Sequence, residues 1–165
     1  MVISNTTPLI NFAETNLLEI LEQLFPSVII PEAVAEELRV KASLFPKAAK
    51  VPELSFVEIT NPVSEMLTAE FERGLHPGEA ACLALASESN SHKLLLDDVA
   101  ARQVARFHHL EFTGTLGCLL EAKRRKLLPK IEPLLEDLAN LARFWIHPDL
   151  KIKMLQIAGE STEEA

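Results

Sequence analysis

The chain has 165 residues, of which 48% are apolar, and a formal net charge of −8. That length and composition suit one folded domain with a substantial core and exclude a disordered chain. So acidic a balance excludes holding nucleic acid by bulk charge, though not through a local basic patch helped by divalent cations, and no apolar run reaches the ~18–20 residues needed to span a bilayer.

The start of the chain is apolar and lacks a basic leader, so a cytoplasmic setting and no membrane partner are expected. Val2-Ile3-Ser4 reads as a first strand, and Asn5-Thr6-Thr7-Pro8 ends it, with Thr7 and Pro8 as the start signal of a helix. Asn5 thereby falls at the C-terminal end of a strand, where asparagine is commonly plain turn chemistry. Leu9, Phe12 and Ala13, then Leu17, Leu18, Leu21 and Leu24, recur at helical spacing, with a break near Thr15-Asn16. Val28-Ile29-Ile30 is a second strand, stopped by Pro31, and Glu32 to about Val40 follows as a helix. At 100° per residue Glu37 lies on the edge of its apolar face and Glu36 points away, so Glu37 is placed to reach inward over the sheet. Two glutamates on a solvated helix account for the pattern equally well.

From Arg39 to Lys50 the chain carries Arg39, Lys41, Lys47 and Lys50 and no acid, a local excess that suits either phosphate or a soluble loop. Ser55 to Ile59 alternates as an edge strand. A helix up to Gly74 is followed by one through Glu79 to Ala86, small and apolar almost all round and therefore buried. Glu79 sits in its first turn, where the helix dipole favours it, yet a lone carboxylate among buried neighbours calls for a cation partner. Cys82 and Cys118 fall in helical patterns without zinc spacing, so both read as buried apolar residues.

Leu94-Leu95-Leu96 reads as a strand buried on both faces, delivering Asp97 and Asp98 to its C-terminal end just before a helix. Asp98 is explained as a helix cap. Asp97 beside it is not, and two adjacent like charges ask for a neutralising cation. Leu110-Glu111-Phe112 is expected as the last strand and Thr113-Gly114-Thr115 as the opening of a helix that ends in Lys123-Arg124-Arg125-Lys126. Helices through Leu134–Leu141 and Leu150–Ala158 close the chain, packing on the domain or on a second copy. The expected division is residues 1–146 as the main domain and 147–165 as a C-terminal helix, with Glu160 to Ala165 as a frayed polar tail.

Taken together, Val2-Ile3-Ser4-Asn5-Thr6-Thr7-Pro8-Leu9-Ile10, Ile30-Pro31-Glu32 to Leu38, Leu75-His76-Pro77-Gly78-Glu79-Ala80, Leu95-Leu96-Asp97-Asp98 and Thr113-Gly114-Thr115-Leu116-Gly117 resemble the PIN-domain superfamily. The likeness is to its prokaryotic branch that begins Asn-Thr-[Ser/Thr]-Pro-Leu. The resemblance implies an α/β/α sandwich around a mainly parallel sheet of about five strands, Mg²⁺ or Mn²⁺ at its C-terminal edge, and cleavage of single-stranded RNA. It also implies, from many relatives, a toxin paired with an antitoxin protein, and a homodimer. Carried over by position, Asn5, Glu37, Glu79 and Asp98 are the metal ligands and catalytic residues, with Asp97 a second participant beside Asp98. Thr6 and Thr7 match hydroxyl positions near the metal, and Arg39, Lys41, Lys47 and Lys50 are the expected phosphate contacts.

Asn5 departs from the usual first aspartate. An amide oxygen ligates a hard cation without bringing charge, so the alternative is a catalytically weak module that binds RNA or a protein. A phosphotransfer or small-molecule enzyme is the third class, and no Gly-rich phosphate loop supports it.

Overall fold

The computed structural model describes residues 1–89 and 92–160. Its centre is a wholly parallel sheet of β1 (Val2–Ser4), β2 (Val28–Ile30), β3 (Val57–Ile59), β4 (Lys93–Leu95) and β5 (Phe112–Thr113), in the spatial order β3-β2-β1-β4-β5. The register pairs Val2 with Val28 on one side and with Lys93 on the other. β1 and β2 are buried on both faces, which is why their sequences are continuous apolar runs and not alternating ones. β3 lies at an edge, is half-buried to exposed, and does alternate.

Parallel strands need crossovers, and here these are helices. They are α1 (Thr6–Glu14), α2 (Leu18–Leu24), α3 (Glu32–Val40), α4 (Glu65–Glu72), α5 (Pro77–Ser89), α6 (Val99–Phe107), α7 (Thr115–Arg124), α8 (Glu132–Leu141) and α9 (Pro148–Ile157), with a 3-10 turn over Ala48–Glu53. The result is the α/β/α sandwich that the sequence leads one to expect. One continuous apolar core runs from Val2 through Leu94, Leu95 and Leu96 to Met154 and Leu155 of α9. α5 lies against β1 and β4, and its run of small residues is what lets it approach: Cys82 donates its thiol to the Ser4 carbonyl at 3.3 Å. Burial pushes both thiols up, Cys118 to about 12, so they behave as the small apolar residues expected.

Three local details differ from expectation. α1 starts at Thr6 with Asn5 as its cap, so Pro8 is the third helical residue. A missing N–H there costs nothing, because first-turn amides have no intrahelical acceptor. The last strand is Phe112–Thr113, later than Leu110-Glu111-Phe112. His109 adopts φ 56°, and Leu110 donates its amide to Ala105, so the end of α6 claims the residues that would begin the strand. Glu160 is no frayed residue: its carboxylate accepts from the amides of Ile131 (2.8 Å) and Glu132 (3.0 Å) and from Lys123 Nζ (2.7 Å). The rest of the expected tail, 161–165, lies outside the described residues.

The strand order fixes where a site belongs. From β1 the chain winds outward to β2 and β3, then returns to the other side of β1 with β4 and β5. The direction of winding therefore reverses between β1 and β4, and ligands of open α/β sheets bind beyond the strand C-termini at such a reversal. Asn5 follows β1 and Asp97-Asp98 follow β4; the Asn5 amide donates to the Leu95 carbonyl at 3.1 Å, tying the two ends together.

Candidate functional site

Asn5 is 4% exposed. Its side-chain oxygen accepts from the Thr6 amide at 2.6 Å, fixing the entry into α1. Thr6 in turn donates its hydroxyl to Glu37 Oε2 at 2.7 Å, while Lys41 Nζ donates to Glu37 Oε1 at 2.7 Å from one turn further along. Burial pushes the Glu37 carboxyl up, but the hydrogen bonds from Lys41 and Thr6, with the charges of Lys41 and His76, outweigh it and hold the group below the ordinary carboxylate value.

Glu79 reaches the same edge from α5. It is 8% exposed, and its Oε2 accepts from the His76 amide at 3.2 Å, closing the start of the helix. Its pKa moves the other way. Burial raises it first, and the repulsion of Asp98 and Glu37 raises it further against the opposing contribution of His76. Asp98 and Glu37 are therefore near enough to Glu79 to oppose its ionisation. Gly78 keeps the space between α3 and α5 open: a Cβ there would stand 3.2 Å from the Val34 side chain, 3.4 Å from Glu37 Oε2 and 3.9 Å from Asn5 Oδ1.

The two adjacent aspartates divide their work. Asp98 is the cap of α6, accepting from the Ala101 amide at 2.9 Å, and it is exposed. Asp97 turns the opposite way and its side chain is only 3% exposed. It accepts from the Thr115 hydroxyl (2.6 Å), the Thr115 amide (2.8 Å) and Asn11 Nδ2 (3.1 Å), with Arg102 Nη2 at 3.5 Å. Burial raises its pKa against those donors. The cation that two adjacent aspartates ask for is, at Asp97, supplied by the protein itself through Arg102, together with a set of donors. Asn11 also donates to Thr115 at 3.0 Å, which leaves its buried Oδ1 without a partner.

The basic residues do not assemble into one patch. Arg39 pairs with Glu32 and Glu36 on the outer side of α3, and only Lys41 turns toward the acidic edge. Lys47 binds Asn16 Oδ1 at 2.9 Å, and with Lys50 it lines a separate depression beside Glu19. Thr7 is half-buried in the first turn of α1. Beyond the expected residues, the structure adds His76, whose charge acts on both Glu37 and Glu79, and the Asn11–Arg102–Thr115 set that holds Asp97. His76 stands immediately before Pro77, at the mouth of α5, and that was its one sequence signal; Asn11 and Arg102 are ordinary polar helix residues in sequence.

The sequence profile of the PIN domain matches residues 1–160. The chain belongs to the PIN-domain family. Its all-parallel five-stranded sheet is that of a PIN-like sandwich, and the family suggests a nuclease-type fold that meets nucleic acid. No curated protein matches the chain. No described helix is long and apolar enough to cross a membrane.

PIN domains generally use divalent metals, and the residues of this PIN domain can be tested for that use. Asn5, Glu37, Glu79 and Asp98 offer only oxygen donors, the set that suits Mg²⁺ or Mn²⁺. Gly78 leaves the space where Asn5 Oδ1 and Glu37 Oε2 face, and the mutual repulsion felt at Glu79 is of the kind a cation relieves. Among the described residues no three His, Cys, Asp or Glu side chains stand close enough together to hold an ion as they are arranged. The donor chemistry fits, and Lys41 occupies one oxygen of Glu37.

Proposed function

We propose that the protein is a Mg²⁺- or Mn²⁺-dependent ribonuclease acting on single-stranded RNA, with Asn5, Glu37, Glu79 and Asp98 as the residues that hold the metal. The observation that supports this reading is the placement of Asn5 after β1 and Asp98 after β4, at the reversal of the strand order, with Glu79 nearby, buried and feeling the charges of Asp98 and Glu37. A structural role does not ask for that placement: Asp98 caps α6 and Glu79 closes α5 without needing each other.

When bound, the cation supplies Lewis-acid polarisation of the phosphate and a lower pKa for the attacking water. The chain does the remaining work. Thr6 fixes the orientation of Glu37, and the cap bonds of Glu79 and Asp98 hold each carboxyl at a helix start. Arg102, Asn11 and Thr115 hold Asp97, and so keep the turn that carries Asp98 in place. Lys41 neutralises Glu37 in the absence of a divalent ion and lies near enough to the site to meet a phosphate afterwards. Arg39, Lys47 and Lys50 stand as outlying contacts to the RNA backbone. The family resemblance extends the proposal to a cytoplasmic toxin held by an antitoxin protein, acting as a homodimer.

A second reading has its own support. Asn5 brings no charge, and Glu37 is already satisfied by Lys41 and Thr6. That pattern suits a module that binds RNA or a protein without cutting. The deciding experiment is calorimetric titration of Mn²⁺ into the protein and into Asp98→Asn, which keeps a good helix cap, with RNA cleavage followed on the same samples. Metal binding and cleavage that both fall at least tenfold in the variant support the ribonuclease. A native protein that binds no Mn²⁺ sinks it and leaves the binding module.

A further inference from the structure

Beside the acidic edge, on the β5 side, runs a groove of about 510 Å³. That volume lies within the roughly 300–1,000 Å³ of small-ligand sites. It is lined by Asp97 and Val99, which flank Asp98 in sequence, by Arg102 and Phe112, and by Phe144, Trp145 and Leu150. Phe144 and Trp145 belong to the segment that joins α8 to α9, and Leu150 to the first turn of α9. Nothing in the ribonuclease reading uses this side of the groove.

Its chemistry is specific. Trp145 is 73% exposed, a large cost for an indole that had no partner. It is nevertheless braced, in a T-shaped contact with His147 at 5.6 Å between ring centroids. In the same groove the Arg102 guanidinium lies over the Phe112 ring, at 5.8 Å from its centroid. Arg102 spends its Nε on the Leu96 carbonyl and one Nη on Asp97. A guanidinium has five N–H donors in all, and no further acceptor for Arg102 exists among the described residues. Exposed aromatic faces beside an arginine, in a protein that is otherwise strongly acidic, are the combination that takes single-stranded nucleic acid: π-faces for bases and a guanidinium for phosphate.

We propose that this groove binds an unstacked base of a single-stranded RNA, stacked on Trp145, with Arg102 facing the adjoining backbone. The choice of RNA rests on the ribonuclease reading, because the groove opens beside Asp98; the groove itself does not require that RNA be cut. A chain running through it leads from the bound base toward the turn that carries Asp98. The strand is thereby placed by stacking, without dependence on base identity.

Trp145 is the only tryptophan in the sequence, so its fluorescence reports on the groove alone. The full chain is titrated with single-stranded oligouridylate in EDTA, which keeps metal-dependent cleavage silent, and with a duplex RNA of the same length. A saturable quench by the single strand and little by the duplex is expected. Polarisation of a labelled oligouridylate measures affinity for Trp145→Leu and Trp145→Phe, and circular dichroism checks that both fold. Loss of a stacking partner weakens such binding by about tenfold, so Leu is expected to bind about tenfold more weakly while Phe keeps most of the affinity. Absence of quenching, or equal affinity in Trp145→Leu, overturns the proposal. So does quenching that follows protein concentration without RNA while light scattering reports a dimer, which would give the groove to a second copy. Quenching without cleavage in Mn²⁺ removes the ribonuclease reading and leaves the groove, whereas cleavage without quenching does the reverse.

Discussion

Glu79 is held at the start of α5 as a carboxyl that folding makes harder to ionise, by burial and by Asp98 and Glu37. An acid whose pKa is higher in the folded chain binds its proton more tightly there. The fold is therefore stabilised as pH falls through the raised value toward the ordinary 4.5 and loses that contribution as pH rises. Glu79→Gln keeps an acceptor for the His76 amide and removes the charge. It is expected to raise the melting temperature at neutral pH by about 1–3 °C, a gain that shrinks as pH approaches 4.5 and the native carboxyl takes its own proton. The same variant is expected to lose Mn²⁺ binding, and stability gained where function is lost is a common property of working sites. Much of this site is legible in the sequence: Asn5 and Asp98 follow strands and cap helices, Glu79 lies in the first turn of α5, and Glu37 is marked by its place at the edge of the apolar face of α3. What the sequence hid was that Asp97 and Asp98 point apart. Two neighbours after a strand face opposite sides, but which of them meets solvent depends on Arg102, Asn11 and Thr115, from three helices, and nothing local announces those contacts.

At the scale of elements, the joint between β5 and α7 is the tightest place next to the site. Gly114 has an extended backbone that any residue can adopt, so its requirement is space. A Cβ there would stand 1.9 Å from Arg102 Nη2, 2.7 Å from Asp97 Oδ1 and 3.0 Å from the Leu96 carbonyl. Arg102 cannot retreat without giving up both its bond to Leu96 and its pairing with Asp97, which would leave a buried carboxylate short of charge compensation. Gly114→Ala is expected to destabilise by about 1–3 kcal/mol or more, measured by urea unfolding, and to disturb the α6 start that carries Asp98. Elements of this kind read unevenly from sequence. The strands from Val2, Val28 and Leu94 were plain because burial on both faces writes itself as an unbroken apolar run. The start of α1 and the position of β5 were misplaced by one to two residues, because Asn5 outcompetes Thr7 as a cap and His109 turns the chain through a left-handed conformation that its side chain does not advertise.

Across the whole molecule, Glu160 joins the end of α9 to α7 and α8, adding to the packing of Met154 and Leu155 in the core. Gly159, at φ 69°, ends α9 and turns the chain so that Glu160 reaches the start of α8. There Glu160 accepts from amides that have no partner within that helix, and it pairs with Lys123 of α7. Burial pushes its pKa up, but Lys123 and those amides outweigh it and hold it below the ordinary 4.5. Its contribution to stability is therefore present above that value and lost as pH falls through the depressed one. Glu160→Ala is expected to cost about 1–3 kcal/mol at neutral pH by leaving the Ile131 amide unpaired, with Glu160→Gln costing less, and the difference from the native protein is expected to close in acid. A surface-looking glutamate near the end of a chain gives no hint of such a role, which is why the sequence read it as tail.

The strand order also governs how the chain is made. β1 emerges first yet occupies the middle of the sheet, and its second neighbour, starting at Lys93, comes some ninety residues later. At about 5–20 residues per second, synthesis leaves the free side of β1 without its partner for roughly 5–20 seconds. Through that interval the nascent protein carries Asn5 and Glu37 but not Asp98. The edge of the sheet at which Asn5 and Asp98 meet is therefore complete only after β4 has joined β1.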